Sequence, residues 1–261
     1  MNPSPINATP NCVLYYGTEF PNPAKTRSLE QCSVVLQDYH PIMQMNLLND
    51  FFPTSKRYAY WNPINVWVDE PHSEIAQDLP HLQFNPRWRT ITLDLTAQRA
   101  KDYVVKTALE LLKNEDLHGL FVDDLDVIAQ SKTRSLIFLS LLNEIQVKAT
   151  RPFSLFVNRG MELWTKLDNI DGIVLEGLSR FECVEAAHPD FNWYRNYLLT
   201  YLRLIKSKFP NIPIFGLVYD GTNNEKPPCQ KKEEPDHVLS SWLVSDLYSS
   251  PLLNEWPRGL L

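Results

Sequence analysis

The chain has 261 residues, 44% of them hydrophobic, with 31 Asp and Glu against 25 Lys and Arg. That apolar content excludes global disorder, and the length suits one large domain, close to the roughly 250 residues of an α/β barrel. The net charge of -6 excludes an electrostatic nucleic-acid binder, which needs clustered Lys and Arg, and the mixed run 226–234 nearly cancels its own charge.

Residues 1–11, rich in Pro and Asn, read as a flexible N-terminal segment, and 12–261 read as a single domain. The segment 1–11 has neither the basic nor the apolar region of a signal peptide, and no apolar run approaches the roughly 20 residues of a membrane span. The expectation is a protein without a membrane partner, cytoplasmic as the sequence stands and secreted if a leader has been removed. Cys12 and Cys32 are read as buried thiols in preference to a disulfide; with Cys183 and Cys229 they form no CxxC pair, and the six histidines show no metal-ligand spacing, so no metal and no cofactor is expected.

Strand-like apolar runs follow one another at 12–16, ended by Gly17, at 33–36, and at 57–61, stopped by Asn62-Pro63. Further runs lie at 117–122, 152–157, 172–175, 212–218 and 240–244. Helical spacing appears between them at 97–113, with Ala100, Val104, Ala108, Leu111 and Leu112, and at 133–147. A further helix is predicted over 194–208, with Tyr197, Leu198, Tyr201, Leu204 and Ile205 on one side. Alternation of this kind is the pattern of βα units on a parallel sheet. Without a glycine-rich phosphate loop, eight strands predict an α/β fold of the closed (β/α)8 TIM type rather than a nucleotide-binding sheet. The Pro- and Lys-rich stretch 221–236 reads as a long loop on the face where substrate clefts form.

The fourth predicted strand ends in Gly119-Leu120-Phe121-Val122-Asp123-Asp124-Leu125-Asp126. Carboxylates repel one another, so crowding three beside an apolar strand does nothing for folding. The sixth strand closes the same way, in Gly172-Ile173-Val174-Leu175-Glu176-Gly177. Active sites of parallel α/β sheets form at the C-terminal strand ends, and two acids from two strands are what glycosidic cleavage requires: one carboxyl group protonated for the leaving oxygen, one ionised as nucleophile or base. Successive residues of a strand point to opposite faces, so Asp123 and Asp124 cannot both serve the barrel mouth. Asp124 is expected to cap the following helix or to pair with an Arg.

The order of motifs resembles the endo-α-1,4-polygalactosaminidase-like glycoside hydrolases (family 114) and related barrel enzymes acting on microbial amino-sugar exopolysaccharides. Tyr15-Tyr16-Gly17, Val34-Val35-Leu36 leading to Asp38, Trp88 before Asp94-Leu95-Thr96, Gly119 to Asp123 with Asp126, Val157-Asn158-Arg159-Gly160 and Gly172 to Leu178 carry it, over about residues 12–219. The resemblance implies Asp123 and Glu176 as catalytic carboxylates and a polysaccharide or oligosaccharide containing amino sugars as substrate. The chain departs from the family in two places. Relatives usually carry a Gly-Glu pair after strand three, where this chain reads Tyr60-Trp61-Asn62-Pro63, and usually one acid followed by a polar residue where it reads Asp123-Asp124.

Sugar rings stack on aromatic faces, so Tyr16, Tyr39, Trp61 and Tyr219, all at predicted strand ends, are expected to line the cleft. Trp164 and Trp193 are expected in the core. Asp38 suits the cationic amino group of a hexosamine, Asp126 a hydroxyl or amino group or a helix cap, and Asn158 a hydroxyl or the orientation of an acid. Arg159 is expected to pair with a cleft carboxylate, and Gly160 to permit the turn. The rival readings are a carbohydrate-binding barrel without turnover, and a metal-dependent hydrolase using Asp123, Asp124 and Asp126 as oxygen ligands.

Overall fold

A computed structural model describes residues 14–17, 33–36, 56–68, 78–86, 89–176, 191–212, 214–218 and 243–246. The strands in chain order are β1 (Leu14–Gly17), β2 (Ser33–Leu36), β3 (Arg57–Trp61), β4 (Asn65–Trp67), β5 (His81–Asn85), β6 (Thr90–Leu93), β7 (Gly119–Val122), β8 (Ser154–Asn158), β9 (Ile170–Glu176), β10 (Ile214–Val218) and β11 (Leu243–Asp246). The helices are α1 (Gln98–Leu112), α2 (Leu125–Ala129), α3 (Lys132–Lys148), α4 (Met161–Trp164) and α5 (Phe191–Lys208).

Packing divides the chain into two compact units, one of residues 1–58, 174–199 and 213–261, the other of 59–173 and 200–212. In the first, β1 pairs with β2 in parallel, Leu14 opposite Ser33 through Gly17 opposite Leu36. Also in the first unit, β10 pairs with β11, but antiparallel, with Val218 opposite Leu243. The predicted eighth strand, 240–244, is therefore corrected in both place and direction.

The second unit carries β7 and β8 with Ala59–Trp61 of β3 and Ile170–Ile173 of β9, in the sheet order β3-β7-β8-β9. β7 and β8 are parallel and in register, from Gly119 opposite Ser154 to Val122 opposite Val157. All four residues of β7 are buried, as are Leu155 to Asn158 of β8, as expected of parallel strands covered on both faces. Gly119 has to be glycine for this close pairing, since a Cβ there would lie 1.8 Å from the carbonyl oxygen of Ser154. Helix α1 buries Ala100, Val104, Val105, Ala108 and Leu112, one stripe at helical spacing. Leu111, expected on that stripe, is only half-buried. Helix α3 starts at Ser131, whose hydroxyl accepts from the Arg134 N–H at 3.3 Å, and buries Phe138, Leu141, Leu142 and Ile145. Along α5 the buried residues include Leu202 and Ile205, whereas Leu204, expected beside Ile205, is exposed.

One further element has no counterpart among the predicted strands. The segment after β3 forms a small antiparallel sheet in the order β4-β6-β5. Asn65 lies opposite Thr92, and their side chains are joined by a bond from Thr92 Oγ1 to Asn65 Oδ1 at 2.7 Å. The link between β3 and β4 is an Asx turn. Pro63 has no N–H to give, and Asn62 Oδ1 accepts from the backbone of Ile64 at 3.2 Å and of Asn65 at 2.8 Å.

Candidate active site

The apolar run of β7 delivers Asp123 one residue beyond its last ladder pair. Phe121, two residues back and so of the same parity, stacks on Tyr60 with ring centroids 6.2 Å apart, and lies 6.1 Å from Phe156 on β8. Tyr60, Phe121 and Phe156 thus form an aromatic floor, and the next residues of that parity towards the strand ends are Asp123 and Asn158. Gly172 on β9 leaves room for this floor, because a Cβ there would come within 2.4 Å of the Phe156 ring.

The Asp123 carboxylate sits half-buried above the rings. The Tyr60 hydroxyl donates to Oδ2 at 2.8 Å, and Asn158 Nδ2 donates to Oδ1 at 2.8 Å. The backbone N–H of Asp124 also donates to Oδ1 at 2.8 Å, while the N–H of Asp123 itself is tied to the Trp61 carbonyl at 3.1 Å. Asn158 is buried. Convergent donors of this kind orient a carboxylate and favour its ionised form over its acid form.

Asp124 turns away from this group. Its backbone is left-handed, φ 53°, and turns the chain from β7 into α2. It stands at the cap position of α2, yet its side chain makes no capping bond. Instead Oδ2 accepts from Asn62 Nδ2 at 2.6 Å and Asn65 Nδ2 at 2.8 Å. The expectation of a cap or an Arg partner is replaced by an asparagine clamp. Asp126, in the first turn of α2, lies 3.6 Å from an Arg159 guanidinium nitrogen, with both side chains 39% exposed. Arg159 and Gly160 after β8 are both left-handed, at φ 55° and 64°, and the Arg159 carbonyl accepts from the indole N–H of the fully buried Trp164.

Trp61 does not line a cleft. It is 3% exposed and its ring packs against Phe138 of α3, 6.2 Å between centroids. Adjacent strand residues face opposite ways, so it is Tyr60 that reaches the carboxylate. Tyr60, Asn62 and Asn65 are the residues that sequence reasoning missed. For Tyr60 the signal was there, in the alternation along Arg57-Tyr58-Ala59-Tyr60-Trp61; for the asparagines it was a contact between segments some sixty positions apart.

Among the described residues no group of three or more His, Cys, Asp or Glu side chains is gathered as a metal would need. The reason is visible in the three acids themselves: Asp123 faces Tyr60 and Asn158, Asp124 faces two asparagines, and Asp126 faces Arg159. Glu176 is the last residue of β9, and Tyr16 belongs to β1; the side chains of both lie outside the described residues, as do Asp38, Tyr39 and Tyr219. Among the described residues, no helix is long and apolar enough to cross a membrane.

No protein-family model and no curated protein matches the chain. Solved structures do. The glycoside hydrolase domain of PelA from Pseudomonas aeruginosa aligns with a TM-score of 0.58 and 22% identity, over 78% of this chain and 81% of that one. A variant of the same domain aligns with a TM-score of 0.56 and 21% identity over the same shares. The chain therefore has an α/β fold with a parallel sheet, of the kind found in that glycoside hydrolase domain.

Proposed function

We propose that the chain is a glycoside hydrolase of the (β/α)8 barrel type, cleaving a polysaccharide that contains amino sugars. The observation that carries this reading is the Asp123 carboxylate, fixed at the end of a parallel strand by Tyr60, Asn158 and the Asp124 N–H. A reacting carboxylate has to be held in one orientation, and this mount at a strand end supplies that. Its donors suit the ionised partner of the catalytic pair, the nucleophile or the base that activates water. The proton donor is then Glu176, the last residue of β9. The likeness to the PelA glycoside hydrolase domain supports the reading at the level of fold.

In this mechanism Glu176 gives its proton to the leaving glycosidic oxygen, while Asp123 either attacks the anomeric carbon, forming a glycosyl ester that water then hydrolyses with Glu176 as base, or takes a proton from the water that attacks in its place. Asn158 serves the acid rather than the sugar. Asp126 and Asp38 are the proposed contacts for the cationic amino groups, and Tyr16, Tyr39 and Tyr219 the stacking platforms. Neither carboxyl role requires an ion. The test is release of new reducing ends from a de-N-acetylated galactosaminoglycan, with and without exhaustive chelation. The expected result is release that survives the chelator. Binding without release would make the chain a carbohydrate-binding barrel, and release abolished by chelation and restored by Mg or Ca would make it a metal-dependent hydrolase.

A further inference from the structure

We propose that Asp124 is a positioning residue for Asp123, acting through its own backbone and through Asn62; the inference rests on the reading of Asp123 as a reacting carboxylate. Left-handed backbone is unfavourable for residues other than glycine, and Asp and Asn are among the few that adopt it. At residue 124 this conformation turns the chain into α2 directly after the peptide whose N–H donates to Asp123 Oδ1. The Asp124 carboxylate holds it there by accepting from both Asn62 and Asn65.

Each asparagine has a fixed orientation. Asn62 Oδ1 is occupied by the N–H groups of Ile64 and Asn65, and Asn65 Oδ1 by the hydroxyl of the buried Thr92, so each Nδ2 is the end left for Asp124. Asn62 Nδ2 has two hydrogens and also lies 3.4 Å from the Tyr60 hydroxyl, the group that donates to Asp123 Oδ2. Both oxygens of the Asp123 carboxylate are thereby tied to the clamp, Oδ1 through a backbone N–H and Oδ2 through Tyr60. A satisfied network of this sort is stiff, and freeing one member loosens the rest.

The test compares Asp124→Ala with Asp124→Asn on the amino-sugar polymer. Asn keeps the left-handed preference and a carbonyl oxygen able to accept from both amides, whereas Ala keeps neither. Asp124→Ala is expected to lose on the order of 10- to 100-fold in kcat, with KM within about twofold, because the acid is misaimed rather than the substrate released. Both variants remove the same negative charge, so the acidic limb of the pH–rate profile is expected at higher pH in Asp124→Ala than in Asp124→Asn, where the hydrogen bonds to the ionised carboxylate are kept. Asp124→Asn is expected to stay within about threefold of the parent.

A folded Asp124→Ala with unchanged kcat and limb would overturn the proposal, as would an Asn variant that falls as far as Ala. If Asp124→Ala does not fold, Asn65→Ser removes one arm of the clamp and is expected to show the same limb shift with a smaller loss; no shift would overturn it. If the parent protein turns over no amino-sugar polymer, the functional reading fails by itself. The positioning role is then read from the Asp123 carboxyl titration by carbon-13 NMR, expected at higher pH in Asp124→Ala than in the charge-matched Asp124→Asn; identical titrations in the two variants would contradict it.

Discussion

Asp123 is bracketed by left-handed residues. Asp124 follows it directly, and Arg159 and Gly160 follow Asn158, its partner on the next strand. Sharp turns at these strand ends bring the starts of α2 and α4 close together, and Gly160 shows how close. A Cβ at that position would lie 2.3 Å from the Leu125 Cβ, at a φ of 64° that already disfavours a side chain. Gly160→Ala combines backbone strain with overpacking, and is expected to lower stability by about 2–4 kcal/mol. Thermal melts read this directly, and an unchanged Tm would mean that the β8–α4 turn is not built this way. Asn62, in the stretch Tyr60 to Pro63, and Asp124 are hydrogen-bonded to each other. Far apart in the sequence, they form one amide–carboxylate contact in the fold.

At the scale of elements, the apolar runs of β7 and β8 were legible because strands buried on both faces read as unbroken hydrophobic stretches. The β4-β6-β5 sheet was not. β5 exposes His81, Leu82, Gln83 and Phe84 in succession, so no alternation marks it, while β6 buries Thr90 and Thr92 alongside Ile91 and Leu93. The β-branched run Thr90-Ile91-Thr92 was the one signal available. Asp94-Leu95-Thr96, read in the sequence as part of a family motif, proves to be the turn that leads into α1. Asp94 Oδ1 accepts from the Thr96 hydroxyl at 2.6 Å and its N–H at 2.9 Å, and these bonds hold the carboxyl group below its ordinary pKa. A carboxyl group lowered in the folded state adds stability above its unfolded pKa, about 4, and loses it as pH falls through the lower folded value. The Tm difference between the parent and Thr96→Val is therefore expected near pH 7 and should shrink as pH drops below about 4. A difference that stays constant or grows on acidification would contradict the assignment.

At the scale of the molecule, the eight strands of the larger sheet and helices α1, α3 and α5 were legible from hydrophobic pattern, each to within a few residues. The direction of the last strand was not, because pairing direction depends on which end of β10 the returning chain meets. The site was half legible. Asp123 was marked by its place at a strand end, but its partners Tyr60 and Asn158 became a set only when β3, β7 and β8 were laid side by side. The central claim is that Asp123 and Glu176 are the reacting carboxylates of a glycosidase. Its most direct test is turnover of a de-N-acetylated galactosaminoglycan by Asp123→Asn and Glu176→Gln, with binding of the same oligomer measured alongside. Both variants keep shape and hydrogen-bonding capacity while removing the carboxyl group. The account predicts normal folding and binding with turnover reduced about 100- to 10,000-fold in each. Undiminished turnover in both variants would place the chemistry elsewhere in the molecule.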